Sequence, residues 1–114
     1  MSLAIRSLGR GQVPTTQADI TTTASGTSVP TGKAWIVKGM RFVNTGAGSA
    51  TINIYFKRGS SAWRILGKDT SLASGAMISD LGEIMMEAGD SLQGIIASSA
   101  NPVDYVLSGI ERDA

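Results

Sequence analysis

The sequence predicts an all-β domain, a sandwich or barrel built from antiparallel strands. Short runs rich in Val, Ile, Thr and aromatic residues recur, and Gly, Pro, Ser and Asn separate them about every ten residues. In one run Ile52, Ile54 and Phe56 alternate with polar neighbours, which is typical of a strand with one face in the core. With 114 residues, the chain is expected to form one domain.

Residues 1–17 are predicted to form an extended N-terminal arm, and residues 18–114 the β domain. In the arm three aliphatic residues alternate loosely with two arginines and are followed by Gly and Pro. Ordering about 15 residues costs on the order of 15–30 kcal/mol of backbone entropy, whereas burying three aliphatic side chains returns about 5–9 kcal/mol. We therefore expect the arm to become ordered against a neighbouring molecule, with a disordered terminus as the alternative.

The segment 34–58 predicts two strands joined as an antiparallel hairpin through a short Gly-containing loop. The alternation of the first strand changes phase, because Trp35 and Val37 are out of step with Met40. Gly39 lies between them, where a β-bulge would reset the phase. Further strands are predicted by the same criteria at residues 18–24, 62–66, 91–97 and 103–111.

Residues 77–88 allow two interpretations. Apolar residues fall at helical spacing, which would suit an amphipathic helix. Gly82 would cost such a helix about 1 kcal/mol relative to Ala, and the segment also divides into two short strands on either side of residues 80–82. We favour the two strands.

The ionised groups are sorted by position along the chain. Residues 1–68 contain nine bases against one acid, a formal +8, and residues 69–114 contain one base against eight acids, a formal −7. No block of five or six like charges appears, so the pattern is not that of a basic nucleic-acid arm or an acidic tail. We expect the two halves to fold against each other or against a sister chain, which would place opposite charges on neighbouring strands.

Most catalytic chemistry is excluded by composition. Cys and His are both absent, which removes disulfides, thiolate nucleophiles, the usual zinc sites and every Ser-His or Cys-His pair. The acids between residues 80 and 90 do not have EF-hand spacing, and the Gly-x-Gly fragments lack the rest of a phosphate loop. We predict no enzyme and no cofactor or metal, and no nucleic acid, membrane or small-molecule substrate as partner.

The two tryptophans are candidate contact residues. Core packing is the expectation for Trp35. Trp63 is followed by Arg64, and both residue types are enriched at the energetic centres of protein interfaces. Trp63 is therefore predicted to make a subunit contact, with sugar stacking and core packing as alternatives.

Three phrases of the sequence together resemble a known family. They are a Val29-Pro-Thr-Gly-Lys33 turn leading into the strand that ends at Asn44, the turn Ala88-Gly-Asp-Ser-Leu92, and a closing strand that ends in Ser108-Gly-Ile-Glu111. They look like small virion structural proteins of tailed bacteriophages over about residues 29–111. The resemblance implies a jelly-roll-like fold and a role in capsid decoration or cementing, and its motifs are turns and core positions rather than reactive groups.

Together these observations predict an antiparallel β-sandwich, jelly-roll-like, that decorates the capsid exterior. It would be made in the host cytoplasm, form a dimer or trimer, and bind the outer surface of the major capsid protein lattice. The alternatives are a phage tail or head-fibre accessory protein and a glycan-binding β-sandwich module. The predicted contact residues are Leu3, Ile5, Arg6, Leu8 and Arg10 in the arm, and Trp63 and Arg64 on the surface.

Overall fold

The fold consists of two antiparallel β-sheets packed face to face, as seen in a computed structural model that describes residues 3–23 and 26–114. The side chain of Leu3 lies outside the described part. Within those ranges no helix is long and apolar enough to cross a membrane. The strands are β1 (Leu3–Gln12), β2 (Ala18–Asp19), β3 (Lys33–Asn44), β4 (Ala50–Arg58), β5 (Ser61–Arg64), β6 (Thr70–Leu72), β7 (Met77–Asp80), β8 (Ile84–Met86), β9 (Ser91–Ile96) and β10 (Val103–Asp113).

Each sheet combines strands from the two halves of the chain. The first sheet has the order β1-β10-β3-β7, with β8 also paired to β3, and the second has the order β2-β9-β4-β5, with β6 also paired to β4. The all-β sandwich predicted from the sequence is confirmed. The chain passes from one sheet to the other after β1, β2, β3, β6, β8 and β9, so it crosses the core repeatedly.

The prediction that β3 and β4 pair with each other as a hairpin is wrong. Both strands exist, but β3 pairs with β10, β7 and β8, whereas β4 pairs with β9, β5 and β6. The loop between them forms a corner because it is fastened to other segments. The buried Asn44 amide donates to the carbonyl oxygens of Gly48 (2.7 Å) and Leu72 (2.8 Å), and Gly48 N donates to Asn101 Oδ1 (2.8 Å).

The change of phase in β3 is a β-bulge, as the sequence predicted. Gly39 pairs with Ser108 of β10 whereas Val37 pairs with Gly109, so that Lys38 is the extra residue. The side chains of β3 that face the core are therefore at odd residue numbers before the bulge and at even residue numbers after it. This shift keeps both halves of a 12-residue strand facing the core.

Residues 77–88 form the two short strands that the sequence favoured. β7 pairs with the second half of β3 and β8 with the first half, and the bulge lies between the two pairings. The connection turns at Asp80, whose Oδ1 accepts a hydrogen bond from Gly82 N at 2.8 Å. The Gly82 that would weaken a helix thus lies in the turn that separates two strands.

Residues 3–12 form an edge strand of the first sheet, and the expectation of an arm that needs a neighbour to become ordered is not met. β1 pairs with β10 from Leu3 to Gln12, and Leu8 is fully buried in the core. Side-chain burial alone underestimates the stability of this segment, because the β1–β10 ladder also satisfies backbone hydrogen-bonding groups. An ion pair between Arg6 and Glu111 (3.4 Å) adds to it.

The core between the sheets is aliphatic with few aromatic rings, and Trp35 belongs to it as expected. The largest fully buried side chains are Trp35, Phe42, Leu8, Ile20, Met40, Ile52, Ile54, Met86, Leu92 and Leu107.

Opposite charges pair between the two halves of the chain, which confirms the interpretation of the sorted charges. Five ion pairs each join a base of residues 1–68 to an acid of residues 69–114: Arg6–Glu111, Lys33–Asp113, Lys38–Glu83, Arg58–Glu87 and Arg58–Asp90.

Candidate interaction surfaces

The two outer faces of the sandwich differ in chemistry, and the outer face of the first sheet carries a row of apolar side chains across its width. Ile5, Ile110, Ile36 and Met85 are directly paired across β1, β10, β3 and β8, and together form what we call the apolar row. Ile5 is 88% exposed and Met85 69% exposed, while the two isoleucines between them are half-buried. The row therefore presents a continuous apolar ridge across the full width of the sheet.

More apolar side chains surround the apolar row. Of the six large apolar side chains that the structure describes as exposed, five lie on this sheet or in its β7–β8 connection: Ile5, Met77, Leu81, Met85 and Val106. A shallow depression lies between Leu81 and Val106 above Gly39, where no side chain fills the space. Exposed apolar patches of this kind mark contact sites in soluble proteins. We call this surface, together with the apolar row, the apolar face.

The sequence contains a local signal for the apolar face. Ile84, Met85 and Met86 are three successive apolar residues, and successive residues of a strand point to opposite faces, so at least one must point away from the core. Met86 is buried and Met85 is the outward one. Trp35, in the core, is likewise followed by the outward Ile36. Neither Met85 nor Ile36 is among the contact residues predicted from the sequence.

The outer face of the second sheet is polar. Its central row crosses β2, β9, β4 and β5 through Asp19, Gln93, Tyr55 and Arg64. Gln93 Nε2 and Ser91 Oγ both donate to Asp19 Oδ1, at 3.0 and 2.9 Å, and the Arg64 guanidinium lies 5.0 Å from the centre of the Tyr55 ring. Because these groups satisfy one another, this face is stable in contact with water.

The predicted contact residues of β1 do not share one surface. Ile5 lies in the apolar row, and Arg10 is exposed beside Val106. Arg6 is ion-paired with Glu111. Leu8 is fully buried within its own sandwich, so the prediction that Leu8 binds a partner is wrong. The side chain of the remaining predicted residue, Leu3, lies outside the described residues.

Trp63 and Arg64 do not form a single anchor. They are adjacent in β5 and therefore point to opposite faces of the strand. Trp63 is 55% exposed, which excludes the core alternative, and its ring centre lies 6.3 Å from that of Phe56. Arg64 lies on the polar face, where it contacts Asn53 Oδ1.

Two buried carboxylates have structural partners. Asp90 accepts hydrogen bonds from Arg58 Nε (2.9 Å) and Nη2 (2.8 Å) and from the Glu87 backbone N–H (2.8 Å). The bonds from the Arg58 guanidinium hold the pKa of Asp90 below its usual value, although burial acts in the opposite direction. Glu111 Oε2 accepts a bond from Trp35 Nε1 at 2.8 Å. Within the described ranges no three Asp or Glu side chains converge on a point where they could hold a metal ion.

No protein-family model and no curated protein gives a significant match to the chain. The outer faces of the two sheets therefore carry the functional argument. One face is suited to water, and the other is suited to contact with another apolar surface.

Proposed function

We propose that this protein is a non-enzymatic structural component of a tailed-bacteriophage virion. It decorates the capsid exterior by binding the outer surface of the major capsid protein lattice as an oligomer. The observation that carries the proposal is the apolar face, an exposed apolar surface spanning the sheet of a small domain. Surfaces of this kind are used to bind proteins.

The strand order supports the jelly-roll-like fold that the resemblance implies. If β5 with β6, and β7 with β8, are each counted as one interrupted strand, each sheet has four strand positions. The first and last strands of the chain then lie side by side, and the long strands β3 and β4 lie in different sheets. Interleaving of this kind is a property of double-sheet jelly rolls, which occur in viral capsid and lectin domains.

Decoration requires only differential binding. A protein that binds the assembled lattice and not its separate subunits stabilises the lattice by mass action. Many weak contacts act together when an oligomer spans several lattice subunits. Exposed groups outside the apolar row, such as Arg10 on the edge strand and Trp63 on the β4–β5 hairpin, are available for such contacts.

The direct test is binding of the purified protein to bare heads of the virus that encodes it. Deleting residues 2–14 is unsuitable, because it would remove β1 and the buried Leu8. We expect saturable co-sedimentation with heads, reduced by Trp63→Ala and unchanged by Lys68→Ala, a control at an exposed position in the segment that follows β5. Failure of the folded wild-type protein to bind assembled heads would refute the proposal, and binding to tails instead would favour the tail or head-fibre alternative.

The exposed indole of Trp63 also fits a glycan-binding module, since sugars stack on aromatic faces. This alternative assigns the β4–β5 hairpin to a sugar rather than to the capsid lattice. A glycan screen separates the two functions: binding that is lost with Trp63→Ala, without binding to heads, would favour the module.

A further inference from the structure

We infer that the apolar face is the contact between two copies of this chain, packed sheet against sheet about a two-fold axis that runs along the strands. The inference rests on the proposed function insofar as that function requires an oligomer, and it names the surface that forms one. The partner is a second copy because the face is large enough for a stable dimer and its apolar row matches itself across the axis.

The area of the face suits a stable dimer. The first sheet is four strands wide, and its longest strands have 10–12 residues. With strands about 4.8 Å apart and a rise of about 3.3 Å per residue, the face measures roughly 20 by 35 Å once side chains are included. This gives about 700 Å² per copy, close to the ~800 Å² that each partner buries in a standard-size interface.

The apolar row is complementary to itself. A two-fold axis parallel to the strands reverses the order of the strands and keeps each cross-strand row opposite its own copy. Ile5 then packs on Met85 of the second copy, and Ile110 packs on Ile36 of the second copy. Every contact in this row joins two apolar side chains, as in the core of a β-sandwich whose sheets lie about 10 Å apart.

The charged side chains of the face lie outside the apolar row. In the next rows β10 and β3 pair Val106 with Arg41 and Asp104 with Val43. The axis places Arg41 over Val106 of the second copy and Asp104 over Val43 of the second copy. Asp104 thereby lies one row, about 7 Å, from Arg41 of the second copy, whereas the two Arg41 residues lie one strand, about 5 Å, apart in the same row. The charges at this end therefore oppose association, and the apolar contacts of the row drive it.

Such a dimer leaves the contact residues proposed on the second sheet free. Trp63 and Arg64 belong to the second sheet, which faces away from the interface in both copies. The polar face then covers both outer sides of a four-layered assembly. The dimer therefore presents two identical binding surfaces, which suits a protein that spans neighbouring lattice subunits.

The test is the oligomeric state of the full chain by sedimentation equilibrium. We expect the wild type to have twice the 11.8 kDa chain mass. Met85→Lys should weaken self-association by at least about 100-fold, because two lysines per dimer would each lose water in an apolar contact. Ile5→Lys, at the most exposed position of the row, should act in the same way. Thr51→Lys, on the outer face of the second sheet, should change nothing. Far-UV circular dichroism confirms that each variant is folded.

The register can be tested independently because the chain has no cysteine. Ile36→Cys and Ile110→Cys chains, mixed and treated with a thiol crosslinker whose length matches the gap of about 10 Å between the sheets, should become linked to each other, and Thr51→Cys mixed with either should not. A monomer at all concentrations, a trimer, or a dimer insensitive to both lysine variants would overturn the inference without touching capsid binding. A dimer of the expected kind that never binds heads would refute the proposed function and leave the inference standing.

Discussion

The Asp90 carboxylate offers the most direct test of how much an ion pair between the two halves of the chain stabilises the fold. It lies just before β9 and is 1% exposed, and its partner Arg58 is the last residue of β4. Replacing Asp90 with Asn keeps the size of the side chain but removes its charge. An NH₂ group replaces one carboxylate oxygen, so at least one of the N–H groups that donate to Asp90 would then face another donor.

The magnitude follows from the contacts. Hydrogen bonds to charged groups contribute about 1.5–3 kcal/mol each, and the variant weakens three of them while it retains one acceptor oxygen. The larger cost of breaking a fully buried ion pair does not apply, because the Arg58 side chain is 52% exposed and water can solvate it. We expect Asp90→Asn to lower the free energy of unfolding by about 1.5–3 kcal/mol at neutral pH.

The effect should depend on pH in a defined direction. The pKa of Asp90 is lower in the folded protein than its ordinary value, so the unfolded chain binds the proton more readily. The stabilisation from Asp90 is therefore fully present above that ordinary value, about 3.9, and is lost as the pH falls through the folded pKa. Wild type and Asp90→Asn should thus become more alike in stability as the pH is lowered towards about 3.

Urea unfolding at neutral and acidic pH, followed by fluorescence of the buried Trp35, measures both quantities. Glu87→Gln is the matched control, because Glu87 contacts the same Arg58 from a position that is 80% exposed, and we expect it to change little. The reasoning fails if Asp90→Asn and Glu87→Gln have equal effects at neutral pH. It also fails if the difference between wild type and Asp90→Asn does not shrink in acid.

Three further outcomes are expected in the same unfolding assay. Leu8→Ala should cost about 2–5 kcal/mol because Leu8 is fully buried, whereas Ile5→Ala on the same strand, measured at a concentration where the chain is monomeric, should cost almost nothing; equal losses would argue against the observed face of β1. Gly109→Ala should cost about 3 kcal/mol or more because its Cβ would lie 2.1 Å from a backbone oxygen of β3, whereas Gly39→Ala, whose nearest contact would be 3.4 Å, should be tolerated; a tolerated Gly109→Ala would contradict the strand spacing. Burial raises the pKa of Tyr105, so the wild type should lose stability as the pH rises above about 10, and Tyr105→Phe should remove that loss; an unchanged alkaline profile would show that Tyr105 is not its cause.

The strands of this fold could be predicted from local pattern, but their pairing could not. Two β-rich runs around a Gly-containing loop look the same whether they form a hairpin or turn a corner between sheets. The corner is decided by Asn44, whose amide reaches a carbonyl 28 residues away, and by Asn101, which holds Gly48 from 53 residues away. No local pattern contains contacts at such separations.

Only part of the candidate surface could be predicted from the sequence. Ile5 was singled out and is exposed, but Leu8 was grouped with it and lies in the core. Ile5 and Leu8 are three residues apart and therefore point to opposite faces of a regular strand, so alternation alone already separates them. What the alternation of β1 does not reveal is which of its two faces is covered, because that depends on the sheet packed against it.

The sorted charges and the apolar face have a common origin in the strand order. Because each sheet places first-half strands beside second-half strands, a chain with its bases first and its acids second forms attractive pairs in the native arrangement. An arrangement that paired strands of one half with each other would bring like charges together, so the sorting also disfavours incorrect folds. On the first sheet this pairing ties Lys38 to Glu83 and leaves the apolar row without a charged member.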